Sequence, residues 1–296
     1  MKNNEKINNI KKRLGTGFRN ARESLGLTAT DIAGELRSKS SMSDFENGKG
    51  ELPVALFYFF IEKMRITFDE FEFLANNYEL SGFRKTWFES MKACADNDEK
   101  SVKLWLDRSE WNVKEGVYDR YDHLMLKHIV SIKYPLYALS SGEKNKIITH
   151  LTKTNDWRNS DLILYANTLT AFDVKVVKKL SKMIVDRTSF YKAIPENKRL
   201  IAQILINTIT VLLDGGDIPT AIGVKNQIKD LLTDTDAHER ISFLFTCGMI
   251  DYYRGEKAYG MEQMEEAINI FRRIGSIESA ERCQNNYNDV IDFFEN

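Results

Sequence analysis

The chain should be all-α, and three observations predict it. Apolar residues recur every three to four positions nearly throughout, the period of a helix with one buried face. Only four prolines occur in 296 residues, so few segments are barred from helix. Short polar breaks punctuate the pattern at helix-length intervals: DNDEK at 96–100, SSGE at 140–143, DGGD at 214–217, DTDAHE at 234–239 and YRGEKAYG at 253–260. They read as solvated loops, because a Ca²⁺ loop would need a fuller ladder of Asp and Asn ending in Glu.

Taken in order, Ile7, Ile10, Leu14, Phe18, Ala21 and Leu25 fall on one stripe, while Lys11, Lys12, Arg13, Arg19 and Arg22 lie elsewhere, so the first helix is amphipathic and basic. Gly26 ends it. Thr28, with Asp31 three residues on, forms an N-cap and a short-armed capping box for a brief second helix carrying Ile32, Ala33 and Leu36. The stretch SKSSMSDFENGKG, 38–50, then sets Met42 and Phe45 three apart as an apolar foot. Lys39, Ser40, Ser41 and Ser43 point outward, and Asn47-Gly48 supplies the stop.

Two short helices joined by a tight turn, the second offering small polar side chains from its N-terminal end, are how a helix-turn-helix enters the DNA major groove. Lys39, Ser40, Ser41 and Ser43 are the expected groove-facing residues. Thr28 at a helix N-terminus, Lys49, Arg13 and Arg19 are expected on phosphates. Charge agrees: residues 1–66 hold twelve Lys or Arg against eight Asp or Glu, whereas the remainder holds thirty against thirty-five. The competing reading is a small helical domain with a solvated basic face.

Gly15, Phe18, Arg19, Arg22, Leu27-Thr28, Ile32-Ala33, Ser43, Glu46 and Gly48 resemble the phage-repressor-like (Xre or Cro/cI) helix-turn-helix. The finer wording, Ala33-Gly34, Ser-Met-Ser-Asp-Phe-Glu-Asn-Gly at 41–48 and Ile66-Thr67-Phe68-Asp69-Glu70-Phe71, resembles the Rgg/MutR regulators. These belong to a group of cytoplasmic peptide-pheromone receptors. The turn departs from the generic pattern in carrying Arg37 where Gly is favoured. The resemblance implies that Glu46 pairs with Arg22 and positions the recognition helix without touching DNA. It further implies transcription regulation at a promoter duplex, controlled by a short apolar signalling peptide in quorum sensing.

The domains are expected at 1–66, a helix-turn-helix DNA-binding domain, and 67–296, a tetratricopeptide-like domain for peptide binding and dimerisation. VALFYFFI, 54–61, is apolar nearly all round and therefore expected to be buried on every side, within one subunit or against a second in a homodimer. Thr67-x-x-Glu70 is a second capping box. Gly216-Asp217 and Gly255-Glu256 are offset by thirty-nine, and Phe172-Asp173 lies forty-four earlier, a weak repeat of helix hairpins. The last unit, with Ala267, Phe271, Gly275 and Ala280, resembles a degenerate tetratricopeptide repeat, and roughly five hairpins would stack into a solenoid.

A peptide in such a solenoid must satisfy its backbone, and an Asn amide can donate and accept at once. Asn167 and Asn207 each interrupt an apolar helix and are the candidates, with Tyr165, Phe245 and Met249 as apolar or aromatic walls. Bonding to a neighbouring helix is the competing role for each Asn, and core packing for the three apolar residues.

No enzyme is expected. His123, His128, His150 and His238 lack metal-ligand spacing, Gly15-Thr16-Gly17 follows no strand, and no Gly-x-Ser-x-Gly elbow occurs. Cys94, Cys247 and Cys283 are odd in number and far apart, so neither zinc nor a disulfide framework is indicated. No metal or cofactor is implied. The start lacks a signal-peptide apolar stretch, so a cytoplasmic location without membrane contact is expected, with RNA polymerase as a further partner. The rival function is a protein-interaction scaffold that uses its helix-turn-helix for docking.

Overall fold

The computed structural model describes residues 2–80, 82–117, 119–188 and 194–295, and among these every regular element is helical. Two compact units, residues 1–112 and 113–296, divide near the end of α7.

The first unit contains α1 (Lys2–Ser24), α2 (Ala29–Ala33), α3 (Lys39–Glu46), α4 (Val54–Met64), α5 (Phe68–Ala75), α6 (Gly82–Ala95) and most of α7 (Glu99–Lys114). Both capping boxes form: Thr28 accepts from the Asp31 N–H and Thr67 from the Glu70 N–H, while each carboxylate returns to the cap's own N–H. The core joins Phe18 and Ala21 of α1, Ile32 and Ala33 of α2, Met42 and Phe45 of α3, Phe60, Ile61 and Met64 of α4, and Phe71 and Ala75 of α5. Phe18 sits at its centre, with ring centroids 5.4 Å from Phe45 and 6.1 Å from Phe60. Because α5 packs along α1, this core runs past residue 66, where the sequence reading divides the chain, to Ala75.

Gly15 and Gly17 make that packing possible. A Cβ on Gly15 would lie 2.2 Å from the Phe45 carbonyl oxygen of α3, and one on Gly17 would lie 2.5 Å from the Ala75 Cα of α5. The Gly-x-Gly of α1 is thus a contact surface for two neighbouring backbones.

Two sequence expectations fail here, and a third is narrowed. The α1 stripe is buried only over its second half: Ile7, Ile10 and Leu25 are exposed, since packing against α3 and α5 begins near Leu14. Leu36 lies beyond the end of α2 and is exposed, because Gly34 at φ +51° has already broken the helix. Within one subunit α4 turns Phe60 and Ile61 inward and leaves Val54, Tyr58 and Phe59 exposed, which contradicts burial of VALFYFFI by this subunit alone and leaves the second-subunit alternative standing.

The second unit contains α8 (Arg120–Lys133), α9 (Ser141–Lys153), α10 (Asn159–Thr168), α11 (Val174–Arg187), α12 (Pro195–Asp214), α13 (Ile218–Ile228), α14 (Ala237–Tyr253), α15 (Lys257–Arg273) and α16 (Ile277–Glu295). Alternate helices stack, α8 on α10, α10 on α12 and α12 on α14, with α9 on α11 in the other layer. Four hairpins closed by α16 make up the unit, a tetratricopeptide-like architecture.

The offset of thirty-nine is a repeated turn. The Gly216 and Asp217 N–H groups donate to the Leu213 and Leu212 carbonyls, and the Gly255 and Glu256 N–H groups donate to those of Tyr252 and Asp251. Both glycines take positive φ, +74° and +97°, which a side chain resists. Phe172-Asp173 occupies the equivalent hairpin turn, where Asp173 caps α11. The acidic breaks are more than solvated loops: Asp98 accepts from the Ser101 N–H, Asp217 from Thr220 and Asp236 from Thr233. In the last unit Ala267, Phe271 and Ala280 are buried as the repeat pattern asks.

No described helix is long and apolar enough to cross a membrane.

Candidate functional site

The first candidate site is α3. Ser38 caps it by accepting from the Ser41 N–H at 3.2 Å, which places the helix start at Lys39. Met42 and Phe45 point into the core, and the opposite side leaves Lys39, Ser40, Ser43 and Asp44 exposed, with Ser41 half-buried. The apolar foot is short because only one side of a two-turn helix is needed to anchor it.

The angle of α3 is set by Arg22. Its Nε donates to Glu46 Oε1 at 2.7 Å and its Nη2 to Glu46 Oε2 at 2.9 Å, both side chains being buried, and Nη1 donates to the Leu27 carbonyl. One guanidinium therefore ties the C-terminal end of α3 to α1 and to the α1–α2 turn. The hydrogen bond to Glu46 holds the Arg22 pKa above its ordinary value, against the opposing effect of burial. These are the two residues that the family resemblance pairs.

The predicted phosphate-binding residues do not form one group. Arg19 donates to Glu46 Oε2 at 3.3 Å and to Asn47 Oδ1 at 2.8 Å, so it extends the Arg22 clamp at the solvent edge. Arg13 donates to Asn76 Oδ1 at 3.1 Å, toward the end of α5. The Thr28 hydroxyl donates to Asp31 Oδ2 at 2.6 Å, and that bond, with one from the Thr28 N–H, holds the Asp31 carboxyl below its ordinary pKa. An ionised carboxylate thus stands beside Thr28. Lys49 is exposed just past α3. Sequence reasoning missed Asn47, which also donates to the Ser43 carbonyl at 2.8 Å, and Lys63, whose Nζ caps the Asp31 carbonyl of α2 at 2.7 Å. In the sequence the Asn47-Gly48 pair signals only a helix stop.

The second candidate site lies on the layer of α8, α10, α12 and α14. Asn207 is exposed on α12, so it does not interrupt a buried face. Asn167 is half-buried and donates to the Ile163 carbonyl of its own helix at 2.8 Å. Tyr165 is fully buried, its ring against Trp157 at 5.5 Å, and burial raises its phenol pKa far above the ordinary value. Phe245 is buried as well. Met249 is 1% exposed and contributes to the floor of a cavity of about 240 Å³, which Thr210 and Asp214 of α12 and Tyr253 of α14 also line. Of the five residues predicted for a peptide, Asn207 is exposed, Met249 lines the cavity, Asn167 is half-buried, and Tyr165 and Phe245 pack the core.

The fold and sequence resemble known proteins. A sequence model described as the C-terminal domain of the helix-turn-helix transcriptional regulator Rgg matches residues 105–285. The fold is similar to the X-ray structure of the SHP pheromone receptor Rgg2 of Streptococcus dysgalactiae, with a TM-score of 0.75 and 23% identity over 93% of this chain and 99% of that one. It is also similar to a protein of Listeria monocytogenes EGD-e described as a transcriptional regulator, with a TM-score of 0.78 and 20% identity over 96% and 99%. The PrgX/cCF10 complex matches with a TM-score of 0.66 and 14% identity over 95% and 92%.

Proposed function

The chain belongs to the Rgg family of helix-turn-helix transcriptional regulators, and from that premise we propose that it binds a promoter duplex through α3 and is controlled by a short signalling peptide held on the second unit. The observation that carries the DNA half is the buried Arg22–Glu46 pair, which fixes α3 while Lys39, Ser40 and Ser43 stay exposed. Small hydroxyls let a helix approach base edges closely, and Lys39 and Lys49 add charge for phosphates. Of the remaining candidates, Arg19 reaches the backbone only by sharing its Glu46 and Asn47 bonds.

The peptide half is supported by the relatives, since Rgg2 is described as a pheromone receptor and PrgX as a complex with cCF10. Exposure of Asn207 on α12 supports it as the residue that pairs with a peptide backbone. Control works by linkage: a peptide that binds one arrangement of the protein better shifts its population by that difference in affinity, altering DNA binding or the recruitment of RNA polymerase. The exposed Val54, Tyr58 and Phe59 of α4 favour a homodimer, which two half-sites in DNA would match. The working location is the cytoplasm, where the promoter is.

The test is a titration of the full chain against a labelled duplex from upstream of its own gene, across several salt concentrations. Phosphate neutralisation makes affinity fall steeply with salt, whereas docking through the aromatic face of α4 would respond little. Salt-independent or absent DNA binding would return the protein to the class of interaction scaffolds.

A further inference from the structure

The cavity of about 240 Å³ in the second unit has a chemistry of its own. Asp214, at the end of α12, and Asp289 of α16 both line it, and among the described residues its lining carries no lysine or arginine. Tyr253 and Phe293 form one wall, their rings 6.5 Å apart and nearly parallel at 19°. Buried Met249 and Val290 contribute the apolar floor.

Two carboxylates facing one small cavity repel each other. Asp214 keeps solvent contact, yet the surrounding bulk raises its pKa, the Asp289 charge adds to that rise, and the Tyr253 hydroxyl offsets part of it. Burial, then the same Asp214, pushes the Tyr253 phenol up to about 12. A cation placed between the carboxylates would relieve the repulsion, and aromatic faces attract the same charge. The apolar floor suits an alkyl stem leading to that charge.

We propose that this cavity receives a basic side chain, lysine or arginine, of the bound peptide, seated between Asp214 and Asp289 against the Tyr253 and Phe293 rings. The inference rests on the peptide-receptor reading and extends it from an apolar peptide to one with a single basic residue. Position agrees with it. Asn207, Thr210 and Asp214 follow one another at spacings of three and four on α12, so a peptide backbone at Asn207 continues along the same helix face into the cavity.

The test uses pools of synthetic N-acetylated peptides of roughly eight residues, randomised among Ile, Leu, Val and Phe except at one variable position. That position carries Lys, Arg or the uncharged isostere norleucine, and a fourth pool pairs norleucine with a free N-terminus. Each pool is incubated with the full chain, and the bound fraction is read by mass spectrometry. The Lys and Arg pools should bind about tenfold better than the acetylated norleucine pool. Asp289→Asn and Asp214→Asn should each shrink the ratio of Lys- or Arg-pool to norleucine-pool binding, and an unchanged melting temperature of the peptide-free variants shows that they fold. An undiminished ratio in folded variants would overturn the carboxylate assignment. Preference only for the free N-terminus would overturn the side-chain assignment in favour of a terminal ammonium. Equal binding of all pools would overturn the cavity inference and leave the peptide reading intact. Binding of none would overturn both.

Discussion

Arg22 and Glu46 meet through two hydrogen bonds, Nε to Oε1 at 2.7 Å and Nη2 to Oε2 at 2.9 Å, across twenty-four residues of sequence in a buried setting. Their side chains are 8% and 5% exposed, so neither charge is screened by water once its partner is gone. Glu46→Ala is therefore expected to cost about 3 kcal/mol, the low end for a broken buried pair, because the guanidinium keeps the Leu27 carbonyl and Glu23. Chemical denaturation of the full chain, followed through the transition of the first unit, measures it. An unchanged midpoint would mean that α3 is held by Met42 and Phe45 alone.

The glycines of α1 give a prediction of opposite sign to ordinary helix propensity. Gly→Ala in a helix normally stabilises by about 0.5 to 1 kcal/mol. That gain is expected for Gly223→Ala in α13, where an added Cβ meets nothing within 4 Å. Gly15→Ala instead drives a methyl into the Phe45 carbonyl and should cost about 1 to 3 kcal/mol. Thermal melts of both variants beside the parent chain decide it, and stabilisation by Gly15→Ala would show that α1 and α3 can separate freely.

These residues also show what the sequence makes legible. The capping boxes of Thr28 and Thr67 could be read directly, because both partners lie within one turn. The Arg22–Glu46 pair spans two helices and is legible only through resemblance to a family. What could not be read is which side of an evenly apolar helix becomes the inner one. In VALFYFFI that choice is made by α1 and α2: Phe18 of α1 meets the buried Phe60 ring at 6.1 Å, whereas Tyr58 meets the exposed Phe68 ring at 5.8 Å and Phe59 stays exposed. Tyr165 shows the reverse case, a candidate wall residue that Trp157 and the neighbouring helix enclose completely. Asp214 and Asp289 escaped notice because they stand seventy-five positions apart and only α12 and α16 bring them to one cavity.

A pH prediction follows from His128. Burial, then the charge of Lys144, lowers its pKa below the ordinary 6.5, and its Nε2 lies 2.9 Å from Thr170 Oγ1. The folded state therefore binds this proton less readily than the unfolded state. Its neutral form leaves stability intact above about pH 6.5, and stability declines as the pH falls from there until the folded-state pKa is passed. The slope from one such group is at most about 1.4 kcal/mol per pH unit. Unfolding of the full chain between neutral and mildly acidic pH should lose that component in His128→Gln, and identical pH profiles would assign the acid sensitivity to other groups.

For the DNA face, Lys39→Ala and Lys49→Ala should each flatten the salt slope of binding by about one unit, weakening all sequences alike. Ser43→Ala should instead alter preference among sites, by about 1 to 3 kcal/mol at the affected base pair. Arg19→Ala should do less to the slope than either lysine change, because Glu46 and Asn47 already occupy its donors. Anisotropy titrations at several salt concentrations separate these outcomes. A larger effect from Arg19 than from Lys49 would move the phosphate path toward α1.

Asn207, proposed as a ligand contact, and the buried Tyr165 should respond differently to truncation. Asn207 is exposed on α12, so Asn207→Ala removes no buried hydrogen bond and should change stability by no more than about 0.5 kcal/mol. Tyr165 is enclosed against Trp157, and Tyr165→Ala should leave a cavity costing about 3 to 5 kcal/mol. Asn167 falls between, because its amide donates to the Ile163 carbonyl of its own helix, a bond whose loss bares nothing on a facing element. Denaturation midpoints of the three variants should thus rank Tyr165→Ala far below the others. Peptide-pool binding should rank them differently, with Asn207→Ala losing affinity by about tenfold at an unchanged midpoint. A drop in midpoint for Asn207→Ala would make its amide a structural group and shift the backbone contact to another residue on the same face of α12, whereas unchanged affinity would remove α12 from the peptide path.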